Sequence, residues 1–244
     1  MGIYDRDYYR TPPPARLAVP AWSVTTWLIV LNVAVFLVDH VFLKRTVPGR
    51  GYYHLLEALG YFSATKAIDQ WQVWRFITFQ FLHADLGHLV FNMLSLYFFG
   101  RLVENYLGSR RYIAYYLLAG VGGAVLYLLL LYSRVLGYDP RIPMVGASAG
   151  IFGILLGAAY IAPNATVMML FPPIPVKLRT LAWVFVGIAV YIILSHGRNA
   201  GGEAGHLGGA VVGYLLIRRP YLLNFMAPGR RSSSYFPNGP WRRS

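Results

Sequence analysis

The sequence contains no cysteine. That excludes disulfides, thiolate nucleophiles, cysteine zinc sites and thiolate-held iron–sulfur clusters, so any catalysis must come from serine, histidine, carboxylates or a bound cofactor. Charge is scarce as well: 13% of the 244 residues are charged, against about 25% in a soluble domain that must cover a water-facing surface. An ordinary soluble domain does not fit. Acids are the scarcest of all, 9 against 22 lysines and arginines, which leaves a net charge of +13. Such an excess admits nucleic acid, an acidic partner or a membrane surface. No internal repeat with a period of roughly 20–50 residues is present, which disfavours a solenoid or an inverted-repeat transporter.

What the sequence has in quantity is apolar residues, 57% of the chain, with a mean hydropathy of +0.47. They gather in six segments, at 24–43, 86–99, 113–131, 145–162, 181–194 and 204–217. The first, third and fourth approach the ~20 residues needed to cross a hydrocarbon core, and the others are of a length that also suits buried or re-entrant helices. The first is too long for a signal peptide and lacks its small-residue cleavage site. The reading is an all-α integral membrane protein with six transmembrane helices and an interfacial first loop. It divides into an N-terminal tail (1–21), a membrane domain (22–219) and a basic, disordered C-terminal tail (220–244), the last on its Ser and Pro content.

Six spans put both tails on one side, together with the loops holding Arg101, Arg110, Arg111, Lys177 and Arg179. Short cytoplasmic loops are enriched in Lys and Arg, so this side is expected to be cytoplasmic and the membrane a plasma (inner) membrane. The positive charge then reads as an orientation signal helped by anionic lipid headgroups, and nucleic acid drops out as a partner. On the other side the loop at 44–81 carries Tyr52, Tyr53, Tyr61, Phe62, Trp71 and Trp74. Rings of this kind prefer the membrane interface.

Polar side chains inside spanning helices are costly and mark function by default. Asp85, His88, Asn92 and Ser95 fall on one face of the second helix, with Asp85 a natural N-cap and His83 on the entering chain. Ser148 opens the fourth helix among Gly146, Gly150, Gly153 and Gly157, a close-packing series from which the serine points away. A serine at a helix start is ordinarily a cap. His206 opens the sixth helix and shares a face with Gly209, Ala210 and Gly213, and a lone histidine there is ordinarily interfacial. The joint arrangement changes these odds, because all three helix starts lie on the outer side at one depth. Other polar residues read as local: Asp39 and His40 as interfacial, Glu104 and Arg101 as an ion pair on one helix.

In this order the motifs resemble the rhomboid intramembrane serine proteases. The resemblance runs from about Trp22 to Ile217 and rests on Trp74-Arg75, on His83-x4-His88-x3-Asn92, on Gly146-x-Ser148, and on His206 within Gly205-His206-Leu207-Gly208-Gly209. It implies a Ser148/His206 dyad with no required acid and no cofactor or metal. His88, Asn92 and the Ser148 N–H would stabilise an oxyanion, with His83 an additional histidine beside them. Gly146 would support the serine, and Phe152 would pack on the His206 ring. The resemblance also implies a mobile cap at 197–205, lateral substrate entry at the fifth helix and transmembrane protein substrates. The family usually has Gly directly after the nucleophile, where this chain has Ala149, and a positive φ there would strain alanine.

The chemistry is plausible apart from the resemblance. Serine needs a base within hydrogen-bond reach, and neutral His and Asn donors suit a developing oxyanion in a low-dielectric site. One alternative is a proteolytically inactive rhomboid-like protein that binds membrane clients. Another is a metal site made of His83, His88 and His206, although the helix-borne H-E-x-x-H spacing is absent.

Overall fold

The computed structural model describes residues 22–47, 51–137, 139–169 and 172–226. The expected N-terminal tail and most of the C-terminal one lie outside the described residues. Helix α1 (Val24–Leu37) starts where the Ser23 hydroxyl accepts the Thr26 N–H at 3.1 Å, and it ends in a π-helical turn, Val38–Phe42. The first loop then folds into a hairpin, β1 (Arg45–Val47) with β2 (Gly51–Tyr53), and the short helices α2 (Leu55–Gly60) and α3 (Arg75–Thr78). Arg75 is buried at its centre, donating to the carbonyls of Tyr61 and Ala58 and to Gln72 Oε1. Trp71 and Trp74 point outward, 81% and 52% exposed.

Helix α4 (Leu86–Ser95) runs through a π-helical turn, Leu96–Gly100, into α5 (Arg101–Leu107). The second apolar element is therefore a 22-residue run, longer than its apolar core alone suggests. Gly108, with φ of 77°, breaks the chain before α6 (Ser109–Tyr132). Helix α7 (Ser148–Ile161) leads to a second hairpin, β3 (Thr166–Met168) with β4 (Pro175–Lys177). The chain finishes with α8 (Leu178–Leu194), α9 (Ala200–Arg218) and a 3-10 turn, Pro220–Met226, that buries Leu223. Three helical runs, Val24–Phe42, Leu86–Leu107 and Ser109–Tyr132, are long and apolar enough to cross a membrane, while α7 and α8 are apolar but shorter. The helix of the fourth segment is 14 residues long, shorter than its apolar run, because it does not begin until Ser148.

Helices α6, α7 and α9 form the centre of the bundle. Lipid tails are as apolar as leucine, so helices in a bilayer associate through close packing between small residues. Gly209 of α9 lies on the Ala149 backbone of α7, Gly213 faces Gly153, and Gly208 faces Gly122 and Gly123 of α6. The glycine face expected on the sixth helix is this contact. On α6, Tyr112, Tyr115, Tyr116 and Tyr127 are buried, and the Tyr115 hydroxyl donates to the Gly153 carbonyl at 2.6 Å. A Cβ at Gly209 would strike the Ala149 carbonyl, which belongs to the backbone and cannot move aside. Gly209→Ala is therefore expected to cost about 3 kcal/mol, read as a lower unfolding midpoint in detergent.

Two polar residues read as local prove to be long-range ties. The Glu104 carboxylate accepts the N–H groups of Val24 and Thr25 and the hydroxyls of Thr25 and Ser109, all within 2.9 Å. It caps the start of α1 from α5, in place of an ion pair with Arg101. Asp39 is buried at 2% exposure and accepts the N–H groups of Leu56 and Glu57.

Candidate active site

The site is built from three helix starts. Asp85 is extended (φ −152°), and its carboxylate accepts the His88 N–H at 2.8 Å, which caps α4. His88 and Asn92 follow on one face, four residues apart. Ser95 leaves the stripe, because its hydroxyl donates back to the Phe91 carbonyl at 2.8 Å.

The chain entering α7 is strapped to the first loop. Met144 exchanges both backbone hydrogen bonds with Phe62, and the Gly146 N–H donates to the Phe79 carbonyl at 2.9 Å. Gly146 has φ of 128°, and a Cβ there would come within 2.7 Å of His88 Nε2. Only glycine satisfies both the backbone and the imidazole. Two residues later Ser148 becomes the first residue of α7. The positive φ thus falls at Gly146, and Ala149 takes an ordinary helical backbone, packed at 2% exposure. The first N–H groups of a helix have no partner within it and carry the positive end of its dipole, here beside the serine hydroxyl.

Helix α9 begins at Ala200, so the expected cap at 197–205 is helical over its last six residues. Glu203 and His206 lie one turn apart on it. His206 Nε2 is 2.8 Å from Ser148 Oγ, and His206 Nδ1 is 2.9 Å from Glu203 Oε2. A carboxylate can only accept, so Nδ1 carries the proton and Nε2 keeps a lone pair for the serine hydroxyl. The Asn199 side-chain amide donates to the other carboxylate oxygen at 3.4 Å. Phe152 stacks on the imidazole with centroids 4.3 Å apart and planes 7° apart, and it meets Phe185 of α8 edge-on. The imidazole is therefore held on a face and at both nitrogens.

A cavity of about 540 Å³ is lined by Ser148, His206, His88, Asn92, Phe152 and Gly146, and by the turn at 197–199 with the first residues of α9. The Asn92 amide nitrogen is buried without a partner, a donor in reserve. His83 does not line the cavity. It stands beside His88, ring centroids 5.0 Å apart, buried and with neither nitrogen partnered. Burial first, and then the His88 ring, push its imidazole down to about 3, so it is neutral at physiological pH. The trio His83, His88 and His206 makes a poor metal site, because both His206 nitrogens are engaged by Ser148 and Glu203.

Glu203 is the one residue of this arrangement that the motifs do not single out, although its spacing of three from His206 places both on one helix face.

Residues 70–219 match the Rhomboid domain family. The chain is 30% identical over 200 residues to RHOMBOID-like protein 12, mitochondrial, of Arabidopsis thaliana, covering 78% of this chain and 56% of the plant protein. It is 28% identical over 193 residues to Rhomboid-like protease 3 of Toxoplasma gondii, covering 78% of this chain and 66% of that one. With Rhomboid protease AarA of Providencia stuartii it shares 29% identity over 213 residues, 83% of this chain and 74% of the bacterial one. It spans between a little over half and about three quarters of the length of these relatives.

Proposed function

The chain belongs to the rhomboid family, and from that premise we propose that it is an intramembrane serine endopeptidase acting through Ser148 and His206. The observation that carries this reading is the 2.8 Å contact between Ser148 Oγ and His206 Nε2 in the wall of a cavity that His88 and Asn92 also line. His206 takes the serine proton as Oγ attacks the scissile carbonyl, and Glu203 holds the imidazole in the tautomer that can accept it and steadies the imidazolium that forms. The Ser148 N–H, His88 and Asn92 stabilise the oxyanion. His206 returns the proton to the leaving amine, and water admitted through the cavity hydrolyses the acyl-enzyme. His83 acts as a neutral support behind His88.

A helical substrate hides its amides, so it must unwind locally before attack. The substrates are transmembrane proteins with small or helix-destabilising residues near the interface, entering past α8, where Phe185 touches Phe152. Six spans, a first loop lying in the interface on Trp71 and Trp74, and termini on the cytoplasmic side of a plasma (inner) membrane complete the reading, supported by the arginine asymmetry. An ordinary helical backbone at Ala149 favours this reading over an inactive client binder.

Cleavage of a transmembrane reporter by purified protein in liposomes, wild type beside Ser148→Ala, tests the proposal. His88→Ala and Asn92→Ala are each expected to lower kcat by about 10- to 100-fold, since other donors remain, while substrate still co-purifies with the enzyme. An unchanged kcat in both variants would remove them from the oxyanion site.

A further inference from the structure

The outer end of α1 carries a second polar cluster that the serine site does not use. The π-helical turn Val38–Phe42 brings Asp39 and His40 to face α2, and π-helical turns recur at functional sites. His40 is stacked between Phe36 and His54, ring centroids 3.9 and 4.0 Å away. Both His40 ring nitrogens are buried and have no hydrogen-bond partner. A buried imidazole in that condition is costly, and it calls for something that accepts a lone pair.

His54 is set up to supply a second lone pair. Its Nδ1 lies 3.4 Å from the Asp39 carbonyl, which can only accept, so Nδ1 bears the proton and Nε2 is free. The His40 and His54 rings stack with centroids 4.0 Å apart, which brings the two side chains to one place. The carboxylate of Asp39 is fixed by the N–H groups of Leu56 and Glu57 at 2.7 and 2.9 Å. Ligand atoms of Asp39, His40 and His54 all lie within 4.8 Å of one another.

We propose that Asp39, His40 and His54, with a fourth position left for water, bind one divalent cation of the zinc class. Two imidazole nitrogens with a carboxylate oxygen suit zinc. A ligating histidine usually donates its other N–H to a carbonyl, and ligating carboxylates are themselves hydrogen-bonded, which describes His54 and Asp39. Zinc–nitrogen bonds of about 2.0 Å put tetrahedral donors ~3.3 Å apart, so the side chains draw in by up to ~1.5 Å on binding. The cation ties the end of α1 to α2 and so fixes the first loop. It also adds positive charge near His83, which has His40 among its electrostatic neighbours. None of this depends on Ser148 being a nucleophile.

The test uses the full chain without an affinity tag, stripped with chelator and titrated with zinc(II) alone. One zinc per chain is expected, with the unfolding midpoint raised by about 5 °C at saturation. His40→Gln and His54→Ala should each weaken zinc binding at least tenfold, while Ser148→Ala leaves it unchanged. Zinc absorption spectroscopy on wild-type protein, which requires no variant to fold, should show imidazole scattering around the metal. No zinc uptake by the stripped wild type, uptake undiminished in both histidine variants, or a zinc sphere without imidazole would each overturn the proposal.

Discussion

Ser148→Ala is expected to bring cleavage of a transmembrane reporter to background, a loss of about 10⁵- to 10⁶-fold, and to abolish labelling by a serine-reactive probe. The size follows from the chemistry: Oγ is the atom that forms the bond to the substrate, and the sequence has no cysteine to replace it. His206→Ala should fall to the same level, and the double variant no lower, because nucleophile and base act as a unit. Neither change should unfold the protein. Ser148→Ala removes one partly buried hydrogen bond and His206→Ala two, each worth about 1 kcal/mol, while the Gly209–Ala149 and Gly213–Gly153 contacts that hold α7 to α9 remain. Retained cleavage in Ser148→Ala would sink the proposed mechanism outright. Loss of cleavage with persistent probe labelling would point to a second reactive serine.

Much of this site was legible in the sequence, for a reason specific to membranes. Against helices of leucine, valine and glycine, a polar residue is conspicuous, and helical periodicity alone puts Asp85, His88 and Asn92 on one face. Six segments alternating in direction then put the starts of the second, fourth and sixth on one side. The parts that escaped depend on partners distant in sequence. Asp39 looked interfacial because the N–H groups that it caps belong to Leu56 and Glu57 across a hairpin, and Glu104 looked like half of an ion pair because Thr25 lies 79 positions away. Gly146 was placed inside the fourth helix by its spacing from Gly150. Its positive φ and the His88 ring against it set that helix's start two residues later. Periodicity assumes a helical backbone, so it cannot reveal where the backbone stops being helical.

Glu203→Gln is expected to lower kcat by about 10³-fold with little change in KM, and to do more harm than Glu203→Ala. The reasoning is one of tautomers. Asn199 donates to one carboxylate oxygen and His206 Nδ1 to the other. A glutamine whose oxygen stays with Asn199 turns its NH₂ toward Nδ1, which then must give up its proton to Nε2. An imidazole protonated at Nε2 donates to Ser148 and cannot act as its base, the fault that makes the equivalent change costly in serine hydrolases generally. Alanine leaves a gap that water can fill, so the productive tautomer survives and the loss is nearer tenfold. Glu203→Asp should recover part of the activity by restoring the charge at a longer reach. Since the side chain bonds only to Asn199 and His206, unfolding midpoints should agree among all four proteins. Full activity in Glu203→Gln would reduce the site to a dyad in which this carboxylate is a bystander; glutamine falling below alanine is the outcome that no merely structural role predicts.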